Sequence, residues 1–314
     1  MNPTLRQVHV DAPLTNVSIA TMNKDDAFVA QKVFPRVPVK KESDKFFIFD
    51  KDFLFRSKTE QRAPGAPVVL RDYKISTDSY SAEEYAAGIV VPDRVAENSD
   101  SPLSPYTNAA EVLAHDMKMF IEYNWSVSAF AASIWTSEAA LSGTDMFDDY
   151  TGSDPIGKIE TAKTTINGLT GIPTSELSIV MGKAVWDKLY RHPQIVANFG
   201  GGYSGMLVPT LAQVASILGV KDITVGEGVW NTNNEGNSTQ TLTRILGKSL
   251  LVYYKAPSPA LMAPSSGYFF SKTVAQVKRY YNERRASEII ENSSTFDFKV
   301  TMADAGYLYR TVVA

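Results

Sequence analysis

The sequence predicts an α+β protein, and three features carry that expectation. Two aromatic and β-branched runs joined by a charged tip lie between residues 45 and 80, a long helix-periodic stretch begins near residue 104, and strand and helix patterns alternate from about residue 154. With 314 residues, 44% hydrophobic and 21% charged, the chain can bury a sizeable core, as one large domain or as two.

Residues 1–44 are polar and punctuated by Pro3, Pro13, Pro35 and Pro38, with one short helical candidate over 25–33, so they read as an extended arm ordered by whatever it crosses. Residues 45–80 read as a long β-hairpin. One strand covers 46–55 and the other 68–75, with a Pro- and Gly-containing tip at 56–67. Strict alternation places Phe47, Phe49, Phe53 and Phe55 on one face, and Phe46, Ile48 and Leu54 on the other with Asp50 and Asp52. Strands of about ten residues reach roughly 30 to 35 Å, and a lone two-stranded ribbon is marginal in water. The aromatic face therefore needs a cover, either a larger sheet of the same chain or a neighbouring subunit. The tip charges Lys58, Glu60 and Arg62 are candidates for pairing with opposite charges on such a neighbour.

Residues 81–153 contain the long helix. Ser104 before Pro105 suits an N-cap and first helical position, and Leu113, Met117, Phe120, Asn124, Val127, Ala131 and Ile134 recur at spacings of three and four. Neither Gly nor Pro interrupts before Gly143, so a spine of about 30 residues, roughly 45 Å, is expected over 104–141. Its charged residues, among them Glu111, Asp116, Lys118 and Glu122, rule out a membrane helix.

Residues 154–272 have the grammar of an inserted α/β unit. Asp154 and Pro155 open a helix; 177–181, 223–225 and 250–254 are strands; 182–190 and 209–218 are helices. From residue 273 onward the pattern is strands (274–281, 295–301, 306–313), expected to return to the layer that holds the spine.

Composition excludes several kinds of chemistry. Cysteine is absent, which removes disulfides, thiolate catalysis and cysteine-ligated metals. No basic leader with an apolar run opens the sequence and no stretch approaches ~18 consecutive apolar residues, so neither export nor membrane insertion is expected. A formal net charge of -3 argues against a protein built to grip nucleic acid. The densest basic run, Lys278, Arg279, Arg284 and Arg285 around Tyr280 and Tyr281, reads as a solvated strand face.

Catalytic, cofactor and metal sites are likewise not expected. Gly200, Gly202 and Gly205 satisfy G-x-G-x-x-G, with Asp222 at a suitable distance for a ribose, but no strand pattern runs into Gly200 and Pro209 stands where a phosphate-binding helix would begin. Ser204 lies one glycine short of a nucleophile elbow. Asp145, Asp148, Asp149 and Asp154 lack calcium-loop spacing, and His9, His115 and His192 stand singly.

The succession of parts resembles the major capsid protein of tailed bacteriophages, the Hong Kong ninety-seven type capsid fold. The likeness rests on a Pro-rich arm, a long hairpin at 46–80, a spine helix at 104–141, the α/β insertion and returning strands. The wording of the insertion is also similar: Leu177-Ser178-Ile179-Val180-Met181-Gly182, Trp186 and Leu189, then Leu218-Gly219-Val220 leading to Ile223-Thr224-Val225-Gly226. The resemblance implies an N-terminal arm (1–44), an extended hairpin loop (45–80) lying over an adjacent subunit, a peripheral domain (81–153 and 273–314) and an axial domain (154–272). It implies a structural protein rather than an enzyme, with no cofactor, self-assembling as pentamers and hexamers into an icosahedral shell around packaged double-stranded DNA. Implied partners are other copies of the chain, a separate scaffolding protein, a portal, decoration proteins and weakly held DNA, with assembly in the host cytoplasm and no membrane. An encapsulin-like nanocompartment shell and a cytoplasmic nucleotide-binding enzyme are the alternatives. Cross-linking through Lys58 is not expected.

Overall fold

A computed structural model describes residues 23–49, 51–70, 75–99, 103–199, 209–233, 236, 241–260 and 264–314, with the side chains of Phe49, Asp52, Phe53 and Phe199 outside that description. Residues 23–38 depart from the expected arm. A 3-10 turn at Asp25–Ala27 leads into α1 (Ala30–Val33) and β1 (Arg36–Pro38), and Val29, Ala30, Val33 and Phe34 are at most 2% exposed. The Phe34 ring meets Trp125 edge-on and lies against Phe298, while β1 runs parallel to β11 (Gly267–Asn282). The prolines flanking this segment hid four apolar residues close enough together to plug a core. Residues 1–22 lie outside the described set.

The hairpin forms, with different strands from those expected. β2 (Ser43–Phe49) pairs antiparallel with β3 (Ile75–Ser81), Ser43 opposite Ser81 and Phe49 opposite Ile75. The first run then turns into α2 (Lys51–Leu54), and residues 68–70 belong to no strand. Seven paired residues give about 24 Å of ribbon, shorter than predicted. Helical geometry at 51–54 also breaks the alternation that was to place Phe53 and Phe55 on the Phe47 face.

β4 (Glu83–Pro92) and β12 (Ser287–Val300) complete a four-stranded sheet in the order β1-β11-β12-β4. After α3 (Asp93–Glu97), the spine helix α4 (Pro105–Phe130) packs across β12 and β4. Ser104 takes the N-cap position and Pro105 the first turn as expected, although the Ser104 hydroxyl meets Thr107 Oγ1 at 3.0 Å and caps no backbone N–H. The helix has 26 residues, about 39 Å, and ends eleven residues before the expected Leu141 because the chain must turn to supply an edge strand. Trp135 Nε1 donates to the Ala129 carbonyl at 2.7 Å, occupying one of the open acceptors at that end. The buried stripe is Ala109, Leu113, Met117, Ile121, Trp125 and Ala129; Val127, expected on it, is exposed. Asn292 of β12 donates to the Leu113 carbonyl at 3.1 Å and pins helix to sheet.

The second sheet has five strands in the order β5-β13-β10-β6-β7. They are β5 (Ser137–Ala140), β6 (Leu177–Gly182), β7 (Asp222–Gly226), β10 (Leu250–Tyr254) and β13 (Gly306–Arg310). Helices α5 (Pro155–Thr170), α6 (Lys183–Leu189), α7 (Pro193–Phe199) and α8 (Leu211–Leu218) accompany it, with a small hairpin of β8 (Val229–Asn231) and β9 (Leu242–Arg244). Asp154 caps α5 by accepting from Gly157 N at 3.0 Å, and Thr210 with Gln213 forms a capping box on α8.

The sheet lies between two cores. Ile179, Met181, Leu250 and Val252 face Ile159, Ile166 and Leu218, whereas Val180, Leu251, Tyr253 and Leu308 join Phe34, Trp125 and Phe269 on the other side. β13 therefore belongs here, between β5 and β10, and not with the spine layer to which it was expected to return. Its pattern suits either sheet. At its first residue the Trp135 ring occupies the space that a Cβ on Gly306 would need, so only glycine fits there.

Candidate assembly interface

Two aromatic stacks root the hairpin on β11. Tyr80 lies on Phe270 with ring centroids 4.6 Å apart and Phe46 lies on the same ring at 5.7 Å. Ser81 N donates to Asp297 at 3.0 Å, Lys299 pairs with Asp78 at 3.2 Å and Lys272 with Glu42 at 2.7 Å. Phe46 and Ile48 thus turn toward the body and are half-buried. Phe47, on the opposite face, is 60% exposed, and Phe55, beyond α2, is 64% exposed. Phe49 and Phe53, expected on the same face, have side chains outside the described set.

Beyond the ribbon the apolar surface continues. Leu54, Val68 and Val69 are exposed and Leu70 is 85% exposed. Fully covering a side chain of this kind is worth about 1.5 to 3 kcal/mol, so a run of them is costly in water and favours a partner. Lys58, Glu60 and Arg62 are all exposed, and among the described residues none of the three makes an ion pair. Arg62 Nε donates to the Ala66 carbonyl and closes the turn of the tip on itself.

The inner side of the tip has a seat on the body. Lys51 forms an ion pair with Asp304 and donates to the Leu169 carbonyl at 3.1 Å, in the last turn of α5. Burial lowers the Lys51 ammonium from its usual range. The Phe55 ring lies over Gly171, 3.2 Å from where a Cβ would stand, and Gly171 has φ +71°. Behind this contact a cleft of about 720 Å³ separates Phe46, Ile48 and Leu54 from Pro259, Tyr268 and Met302. The seat was not legible in sequence, because Lys51 and Asp304 are far apart in the chain.

A second feature hidden in the sequence is the anchor of residues 23–38. Glu122, on the buried stripe of α4, accepts from Val29 N at 2.9 Å and Ala30 N at 2.8 Å through Oε2. Burial pushes its carboxyl up to about 7, against the pull of those two donors. Asn23 holds Val229 from both sides, and Lys118 pairs with Asp25 at 2.7 Å. In the sequence Glu122 is one of several charges on the helix, and nothing local marks it as buried.

Several of the remaining sequence candidates have structural partners. Asp145 pairs with Lys158, Asp148 accepts from Ala314 N, and Asp149 accepts from Thr151 N and Gly152 N. His192 is buried, bonded through Nε2 to Ser153 at 3.0 Å, and its pKa is lowered by burial. His115 lies beside Phe28. Helix α7, rather than a strand, leads to Gly200; Gly200, Gly202, Ser204 and Gly205 lie outside the described residues, as does His9. Along the basic run, Arg279 pairs with Glu288 and stacks 4.2 Å over Tyr106, Tyr280 OH donates to Glu291 and Tyr281 OH to Asp93. Among the described residues no acid or histidine cluster could hold a metal, and no helix is long and apolar enough to cross a membrane.

No family model matches the chain. It is 27% identical over 252 residues to a major capsid protein of Pseudomonas phage JBD67, spanning 78% of this chain and 77% of that protein. Among solved structures it is similar to a phage-related protein from Bordetella bronchiseptica RB50, with TM-score 0.68, 21% identity and coverage of 92% and 93% of the two chains. It is also similar to the capsid of bacteriophage PhiM1, with TM-score 0.61, 10% identity and coverage of 97% and 92%. The architecture is that of the Hong Kong ninety-seven type capsid fold. The sequence relative is a phage major capsid protein and the solved structures share the fold of this chain, and both support a capsid shell protein.

Proposed function

We propose that this chain is the repeating subunit of an icosahedral phage shell, assembling as pentamers and hexamers around packaged double-stranded DNA. The observation that carries this reading is the hairpin, whose outer surface at Phe47, Phe55 and residues 68–70 is exposed, with no cover from the described residues of its own chain. A second copy of the chain supplies the cover, and the contact repeats head to tail around each ring, a heterologous interface that closes only at the right rotation. Phe47, Phe49, Phe53 and Phe55 with Lys58, Glu60 and Arg62 are the proposed intersubunit residues. The near-neutral balance of -3 supports a wall that encloses DNA without gripping it. A scaffolding protein, a portal and assembly in the host cytoplasm complete the proposal.

Replacing residues 56–67 by a short Gly/Ser turn tests it. The tip is exposed along nearly its whole length, so the variant should keep the parent's circular dichroism and melting temperature while forming no closed shells by electron microscopy. Shells of normal yield from that variant would contradict the reading, and particles filled with protein and free of DNA would turn it to a nanocompartment.

A further inference from the structure

His192 is 1% exposed and stands where three elements meet. Its backbone N–H donates to the Leu189 carbonyl at the end of α6, and its carbonyl accepts from Ile195 N and Val196 N, so it is the N-cap of α7, with Pro193 in the first turn. The ring makes two further bonds. Nδ1 accepts from Gln194 N at 3.3 Å, and Nε2 meets the Ser153 hydroxyl at 3.0 Å. A backbone N–H can only donate, so Nδ1 is bare and Nε2 carries the proton, donating to Ser153 Oγ, which donates in turn to the Asp149 carbonyl at 2.7 Å. This tautomer also excludes a serine nucleophile here, because the nitrogen beside Ser153 has no lone pair with which to take its proton.

The bonds thus run from the start of α7 to the 149–154 turn, whose last residue caps α5. They are complete only with a neutral ring. A second proton would set an N–H on Nδ1 against the Gln194 N–H, away from water and at the positive end of a helix. Of the surrounding charges, Asp154 favours the cation, but burial outweighs it and lowers the pKa. The other groups nearby are engaged: the Asp149 carboxylate by Thr151 N and Gly152 N, Arg191 over the Tyr190 ring, Lys183 by Asp187 on α6, and Lys158 and Lys163 of α5 by Asp145 and Glu160. Tyr150 meets the imidazole edge-on at 5.6 Å, and α8 carries no charge.

We propose that His192 is an acid-sensitive latch on α7: as the neutral imidazole it fastens the start of the helix to the 149–154 turn, and as the imidazolium it releases both. The open form takes up a proton below the ordinary histidine value of 6.5 and the closed form does not, so the stability of the latch is present above that value and is lost as pH falls below it. The latch belongs to a single chain and goes beyond the shell reading.

Hydrogen exchange of the full-length chain, read by mass spectrometry at pH 7.5 and 5.0 and corrected for the intrinsic pH dependence of amide exchange, tests this. Peptides covering α7 should lose protection at pH 5.0 by up to about thirtyfold, the limit for a group of ordinary pKa 6.5 that must be neutral in the closed form, whereas β6 and β10 should lose none. His192→Asn keeps an oxygen at the cap for Gln194 N and does not titrate, so its α7 should stay protected at both pH values. Slow exchange at the imidazole C2 carbon, measured on the same chain, gives the midpoint of His192 itself, which should lie below 6.5. The latch is overturned if wild-type α7 is equally protected at both pH values, if His192→Asn loses protection at pH 5.0 as the parent does, or if the His192 midpoint is 6.5 or higher. Should the variant lack protection already at pH 7.5, the wild-type midpoint decides by the same criterion.

Discussion

At the residue scale, the buried Glu122 links stability to pH. Its carboxyl is pushed up to about 7 in the fold and returns to the ordinary glutamate value, near 4.5, when the chain unfolds. Between those values the folded state holds a proton that the unfolded state does not, so stability is fully present below about pH 4.5 and is lost as pH rises through 7. The loss from this one group is on the order of 3 kcal/mol by pH 8. Glu122→Gln keeps an acceptor for Val29 N and Ala30 N while removing the titration. It should flatten the stability profile between pH 5 and 8 in urea unfolding, and be no less stable than the parent at pH 8. A slope unchanged by the substitution would show that Glu122 does not titrate in this window. Sequence showed Glu122 only as one of several charges that rule out a membrane helix; its place opposite Val29 and Ala30 depends on a segment about 90 residues away.

Among elements, the hairpin was legible and its details were not. Residues 46–49 have the aromatic and β-branched density of a strand, and they are one; residues 51–54 follow in the same style but coil into α2, because four residues carry no periodicity that separates strand from helix. The spine was legible at its start from Ser104 and Pro105. Its end was not, since nothing local in residues 131–141 distinguishes a continuing helix from the strand that β13 recruits. The tip charges belong to this scale. Lys58 and Glu60 are exposed and make no ion pair among the described residues, so reversing Lys58, Glu60 and Arg62 together should leave the melting temperature within about 1 °C, as for surface changes generally. Their effect should appear as impaired assembly, seen as a raised protein concentration at the onset of light scattering. An onset equal to that of the parent would remove these three residues from the interface.

For the whole molecule, the α+β class and the α/β unit followed from alternating patterns that local chemistry enforces: Asp154 caps α5, Leu177 to Gly182 is buried throughout, and β7 and β10 lie where apolar runs predicted strands. What escaped were the long-range closures, residues 23–38 plugged into the core and β13 inserted between β5 and β10. Both tie the two sheets together, and both depend on contacts between segments far apart in the chain. The result is a body whose described surface leaves one arm with its apolar side uncovered. Negative-stain electron microscopy of the purified wild-type protein, with sedimentation to measure mass, tests this account most directly. Closed particles of megadalton mass are the predicted outcome; a monodisperse monomer, dimer or tetramer across a wide concentration range would contradict it.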